Sequence, residues 1–369
     1  MNTALRDRLT QFHASCQHEL LPLLSSDVAQ PLTPMLSRLI RIWEWIEIER
    51  YVPSTRGWVG RPRRDRAALA RAFVAKAVMG FTETAALVER LNADALLRRL
   101  CGFDLRRRGV LRECLFSRAF AEFSAQDLPT RVHEALVKAQ LGDALVGHLS
   151  RDSTAIEVRE RPLVKTPAEP TPPRKRGRPA KGEVRSVVKT RLQRQTEGMS
   201  LAAMIQDLPR ACDVGSKRDA QGFTRSWIGY KLHLDVSDGM IPIAAILTSA
   251  SVHDSQVAIP LATLSAQRIV NLYDLMDAAY CSPLIRGHSE ALGHVPVIDH
   301  NPRSGAKIPF DPPKKERFKQ RTTVERVNAR LKDSFGADRI NVRGHAKVAT
   351  HLMFAVLALT ADQLLRWVT

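Results

Sequence analysis

Three carboxylates are set apart by where they fall in the hydropathy pattern. Asp152 sits inside the β-like run "LVGHLSRDSTAIEV", Asp277 follows the apolar run "NLYDLM", and Glu325 lies within "RTTVERVNARLKD", residues 321–333. A carboxylate beside a sheet is costly to bury unless a cation or a donor satisfies it. If the strands of Asp152 and Asp277 are neighbours and the helix of Glu325 crosses them, the three side chains converge. Oxygen-only donors of that kind suit Mg²⁺ or Mn²⁺, ions that keep water positions open. Two such ions about 3.5–4 Å apart do phosphoryl chemistry: one activates a water or hydroxyl nucleophile, the other stabilises the leaving oxygen. Structural salt bridging is the competing account in a chain with 38 Asp and Glu, and spacing alone leaves both open.

The stretch around Glu325 has two faces. On a helix of about 3.6 residues per turn, Arg321, Glu325, Asn328 and Lys332 stack in a polar stripe. Val324, Val327, Leu331 and Phe335 form an apolar stripe roughly 90° around the axis, so the helix can dock on a core while its charged edge faces a partner. Asp274, three residues before Asp277 on the same strand, falls on the opposite face and is the weaker ligand candidate. His253 and Asp254 in "SVHDS" could assist the site, but capping of the next helix by Asp254 is the plainer expectation. Trp227 in "FTRSWIGYKLHL" is expected to pack in the core at the start of a strand, with stacking on an unpaired base as its alternative.

The elements that position these residues follow from periodicity. Residues 1–143 read as helical, with apolar spacings of three and four in "LSRLIRIWEWIEIERYV", "DRAALARAFVAKAVMGF", "TETAALVERLNADALLRRL" and "LFSRAFAEFS". The second and third of these, joined through Gly80 and a Thr-capped start, have the outline of a helix-turn-helix. After residue 143 the pattern turns β-rich. "YKLHLDVSDGMIPIAAILTSASV" is a hairpin about Ser237, Asp238 and Gly239; "RIVNLYDLM" and "HVPVID" are strands, and "SPLIRGHSEALG" between them is a helix. Residues 144–369 therefore predict a mixed α/β domain.

Lys and Arg number 56 against 38 acidic residues, a formal charge of +18 and a pI near 10.3, which calls for a polyanionic partner. Nucleic acid is the default, and an anionic membrane surface is the competitor. No apolar run reaches the ~18 residues of a spanning helix and the N-terminus has no hydrophobic signal core, so no membrane is expected and the cytoplasm is the expected compartment. The charge is concentrated at 159–194, where twelve Lys or Arg stand against three Glu and six prolines fall. Such a segment cannot pack a core and reads as an arm interrupting the α/β domain. Its "PRKRGRPAKG" carries Arg176-Gly177-Arg178-Pro179, an AT-hook-like core in which glycine lets the backbone lie flat while the two arginines reach into a narrow minor groove.

The motif beginning at Phe318, Phe-x2-Arg-x3-Glu-x6-Lys, resembles the Tyr-x2-Arg-x3-Glu-x6-Lys signature of DDE transposases from bacterial insertion sequences of the insertion-sequence-4-like and -5-like groups. Arg321, Glu325 and Lys332 match it, and Phe318 replaces the tyrosine. "RDSTAI", "LMDAAY", "GYKLHL", "SVHDS" and "RGHAKVATHLMFAVLALTADQLLR" are similar to further blocks of that family, as is "GRPRRDRAALARAFVAKAVMGFTETAALVERL" to the helical domain preceding its core. The resemblance implies an RNase H-like catalytic domain preceded by an all-helical domain that binds DNA ends. It implies Asp152, Asp277 and Glu325 as catalytic, metal-holding residues, with a pair of Mg²⁺ ions for which Mn²⁺ can substitute, and Arg321, Lys332 and Phe318 as DNA contacts. The implied reaction is cleavage at the inverted repeats ending the element and transfer of the 3′-hydroxyls to target DNA, by a homodimer acting on the nucleoid. A transposase-derived DNA-binding protein without catalysis, and an RNase H-like nuclease without strand transfer, are the alternatives.

Overall fold

The computed structural model describes residues 32–53, 65–103, 110–164, 189–218, 221–302 and 306–368. Arg176 and Arg178, and most of the basic segment around them, lie outside the described residues. In chain order come α1 (Pro34–Ile46), α2 (Arg66–Val78), α3 (Thr84–Ala93), α4 (Ala95–Leu100), α5 (Glu113–Ala125) and α6 (Leu128–Leu141). Next are β1 (Leu145–Val158), α7 (Arg191–Thr196), α8 (Leu201–Gln206), β2 (Asp213–Arg218), β3 (Thr224–Ser237), β4 (Pro242–Ser249) and α9 (Ser255–Ala266). They are followed by β5 (Val270–Met276), α10 (Pro283–Ala291), β6 (Val295–Ile298), α11 (Pro312–Phe318), α12 (Thr322–Phe335), the short β7 (Arg339–Ile340) and α13 (His345–Val368).

The chain forms two compact units. One comprises Met1–Leu136, Leu331–Ala337 and Thr350–Thr369; the other comprises Val137–Arg330 and Asp338–Ala349. The helical unit is built on α2, whose Ala68, Leu69, Phe73, Val74 and Val78 are all buried because small alanines between the large residues let neighbours close in on every side. Phe73 meets Phe120 at 5.1 Å and Phe354 of α13 at 5.6 Å between ring centroids. The outline of α2, turn and α3 is present, with Gly80 at φ +70° in the turn. The expected Thr cap is not: the N-cap of α3 is Glu83, which makes no side-chain capping bond. By length and composition α13 would pass for a membrane span, which the sequence reading had not found, yet nearly all of it is buried. Its polar residues are matched within the unit, Asp362 by Arg38 at 2.6 Å and Thr360 by His133 at 3.2 Å.

The other unit is organised about β1, a central strand that pairs antiparallel with β3 on one side and parallel with β5 on the other. β6 continues the parallel side, and β4 pairs antiparallel with the second half of β3, giving the order β4-β3-β1-β5-β6. This mixed sheet, with helices on it, is an RNase H-like arrangement. β2 is an addition that runs beside the first half of β3. Periodicity did not reveal β2, because "DVGSKR" has no apolar alternation and only one buried residue. α7 and α8 also escaped, being a turn and a half each; their side-chain caps from Thr190 and Ser200 were the only local signal.

Candidate active site

Strand alternation decides which side chains share a face of the sheet. Ser150 lies opposite Leu275 in the parallel β1–β5 register, and the same register carried on by two residues sets Asp152 beside Asp277. On that face Ser150 Oγ donates to the Gln320 carbonyl at 3.2 Å and lies 3.2 Å from Thr323 Oγ1. Thr323 in turn donates to the Gln320 carbonyl. These bonds lay the start of α12 over β1, two residues from Asp152. Val324 and Val327 of the apolar stripe are buried in this unit, and Leu331 and Phe335 are buried in the helical unit.

The charged stripe is only partly a stripe. Glu325 is exposed and its Oε1 accepts from Arg321 Nη2 at 2.6 Å, whereas Asn328 is buried. Arg321 belongs to a turn of 3-10 helix ahead of α12, not to α12 itself. Phe318 packs on Phe310 at 4.9 Å, and the Arg321 guanidinium lies 5.8 Å from its ring centre, so the ring braces the arginine where a tyrosine would also offer a hydroxyl. Lys332 lies two turns beyond Glu325 on α12 and is half-buried.

Burial pushes the Asp152 carboxyl up to about 6, and the neighbouring Asp277 adds to the rise; Arg321, the Ser153 backbone N–H and Lys217 pull the other way. Asp277 Oδ1 accepts from the Ala279 N–H at 2.9 Å, which caps the short turn after β5 and fixes the carboxylate's position. Asp152, Asp277 and Arg321 are thus electrostatically one neighbourhood, and Arg321 ties Glu325 to it. Among the described residues no three His, Cys, Asp or Glu side chains are grouped closely enough to hold a metal ion. Glu325 is engaged by Arg321. Two adjacent carboxylates, one whose ionisation burial opposes, nevertheless fit a hard divalent cation, whose charge would favour their ionised forms.

The reverse face carries a different chemistry. Arg151 makes a bidentate pair with Asp235 at 2.7 Å for both bonds, and Ser265 Oγ donates to the same carboxylate at 2.6 Å. Asp274 is buried there, accepting from Asn271 at 3.0 Å with His294 Nδ1 at 3.2 Å, as its position on the opposite face required. Asp254 occupies the N-cap position of α9 but does not cap it. Its carboxylate instead accepts from Lys231 Nζ at 3.0 Å, with His233 Nδ1 at 4.0 Å. Burial would raise Asp254, but His233, Lys231 and Ser153 outweigh it and hold the carboxyl below its ordinary value. Tyr280, three residues after Asp277, is buried with no hydrogen-bond partner for its hydroxyl among the described residues. Trp227 is half-buried and donates to the Tyr230 carbonyl at 3.1 Å, a packing role. Neither the Arg151–Asp235 pair nor the Lys231–Asp254 pair was singled out from sequence. An arginine in mid-strand was the one hint, because a charged residue there must find a buried partner.

Comparison with known families adds two matches. Residues 152–361 match a family model described as "Transposase DDE domain", and residues 26–122 match one described as "Transposase domain (DUF772)". None of the curated proteins searched matches the chain.

Proposed function

Since the chain belongs to the DDE transposase family, an enzyme class that cleaves DNA, joins strands and depends on a divalent metal, we propose that Asp152, Asp277 and Glu325 are its catalytic triad. The observation that carries this is the pairing of Asp152 with Asp277 beside Arg321, with burial pushing Asp152 up to about 6. The three carboxylates would hold two Mg²⁺ ions, with Mn²⁺ as a substitute. Bound there, such ions activate a water or a 3′-hydroxyl and stabilise the leaving oxygen. The chain's own contribution is an exchange of partners. Arg321 leaves Glu325 for a DNA phosphate, a charge-assisted contact its planar fork makes well, and Glu325 is freed to turn toward the aspartates. Lys332 holds a second phosphate, and Phe318 keeps the arginine's approach rigid.

At coarser scale the reading assigns residues 1–143 to binding of the element's ends and 144–369 to catalysis, with the basic segment 159–194 gripping A·T-rich DNA through Arg176 and Arg178. The element is of the insertion-sequence-4-like or -5-like kind, its terminal inverted repeats and target DNA are the substrates, and a homodimer on the nucleoid in the cytoplasm pairs the two ends. To test the triad, Asp152→Asn, Asp277→Asn and Glu325→Gln are each compared with the parent for duplex binding and for Mn²⁺-dependent nicking of plasmid DNA. Nicking is expected to disappear while binding persists; near-parental nicking by any one of them removes that residue from the triad.

A further inference from the structure

The two halves of β3 belong to different structures. Tyr230–Val236 pairs with both β1 and β4, whereas residues 224–228 pair with β2 alone. Between them Gly229 has φ +151°, a backbone that L side chains rarely adopt, and a Cβ there would lie 2.1 Å from the Ile156 carbonyl oxygen. The strand changes partners at this glycine, and β2 with residues 224–228 forms a two-stranded wing beyond the end of the β1 and β4 pairing. In a straight sheet Arg225, the partner of Lys217, would lie nine residues, or ~30 Å, from Leu234, the partner of Asp152. Lys217 acts on Asp152 all the same: its charge is among those that pull that carboxyl down.

The wing is stiff and positively charged. Trp227, anchored to the Tyr230 carbonyl, lies across Gly215, where a Cβ would come within 2.4 Å of the indole. Lys217, Arg218 and Arg225 are exposed on it, beside the hydroxyls of Ser216, Thr224 and Ser226. Lys217 and Arg218 form no ion pair with any described residue. An open groove of about 640 Å³ is lined by Val214, Trp227 and Ile228 of the wing and by Glu157, Arg159 and Arg339 of the sheet and its edge. The exposed cations of the wing and the two arginines of the groove, set against its one carboxylate, suit a sugar-phosphate strand, and a polyanion approaching two carboxylates needs such compensation.

We propose that the β2–β3 wing is a DNA clamp of the active site, in which Lys217, seconded by Arg218, binds a phosphate of the strand presented to Asp152, from a different element than Arg321. The proposal rests on the assignment of Asp152 to catalysis. It is tested in the full-length chain with Lys217→Ala, Lys217→Ala combined with Arg218→Ala, and Lys217→Arg. Affinity for a short mixed-sequence duplex is measured across KCl concentrations, and Mn²⁺-dependent plasmid nicking is measured alongside. The slope of log affinity against log salt is expected to flatten by ~0.9 for the single variant and ~1.8 for the double. Nicking is expected to slow about tenfold with loss of one charge-assisted contact, Lys217→Arg to restore both, and thermal melts to stay unchanged. Parental slopes in both alanine variants would overturn the clamp. Asp152→Asn separates the two ideas: if it nicks like the parent, the site assignment fails, whereas if it is dead while the alanine variants keep parental slopes, only the clamp fails.

Discussion

Asp152 is a carboxyl whose place in the fold works against its own ionisation. Its folded value of about 6 lies above that of the unfolded chain, so between pH ~4 and ~6 the folded state binds more protons and stability falls as pH rises through that window. At pH 7 the full penalty is present, on the order of 1–3 kcal/mol. Asp152→Asn should therefore abolish nicking and at the same time raise the melting temperature at pH 7, with the gain gone by pH 4. Melts at the two pH values check this; a variant no more stable than the parent at pH 7 would show that the carboxylate is better compensated than its surroundings imply. Arg321 differs in kind. Its bond to the exposed Glu325 is a solvent-screened pair, worth ~0–1 kcal/mol, so its removal should harm catalysis much more than folding.

At the scale of the element, α12 joins a buried face to an active one. Leu331 is wholly buried, and Leu331→Ala should cost ~2–5 kcal/mol. Lys332→Ala should change stability by about 0.5 kcal/mol or less while slowing cleavage. Urea titrations that ranked Lys332→Ala as the more damaging change would overturn the two-face account. The basic segment 159–194 is also an element with its own prediction. Deleting 166–186 should leave the melt unaltered and flatten the salt dependence of DNA affinity by ~0.9 per phosphate contact removed; an unchanged slope would reduce the segment to a linker.

At the scale of the whole chain, the helical unit is closed by a polar link among residues far apart in sequence. Lys76 Nζ donates to the Thr82 carbonyl at 3.0 Å and lies 3.2 Å from His351 Nδ1, while His351 Nε2 lies 3.0 Å from the Gly336 carbonyl. The geometry makes His351 neutral, accepting from the lysine and donating to Gly336. Burial, with Lys76 beside it, pushes His351 down to about 3. Burial likewise lowers Lys76 to about 8 against the pull of Glu83. The unfolded chain then binds more protons between pH ~8 and ~10.5, and stability rises with pH across that window by up to about 3 kcal/mol. Lys76→Met should lack this rise. Denaturation curves of parent and variant at pH 7.5 and 10 decide it, and parallel pH profiles would refute the link's role.

How much of this was legible beforehand depends on the range of the interactions. β1, the hairpin of β3 and β4, β5, α10 and β6 were readable because alternation and helical spacing are local, and they place Asp277 and Asp274 on opposite faces with no further information. The membership of residues 321–335 in one amphipathic helix was nearly as plain, apart from the 3-10 turn that takes Arg321. The sequence by itself therefore determined the element types, the faces and the family resemblance. Only the tertiary structure decided partners. That Asp254 turns to Lys231 instead of capping α9, that Arg151 finds Asp235, and that residues 350–369 join the first helices in one compact unit all depend on chain segments tens to hundreds of residues apart. The wing is the sharpest case. Its β2 strand has no periodic signal, and the position at which β3 changes partners needs a glycine because the Ile156 carbonyl of another strand passes there, a steric fact that no local pattern records.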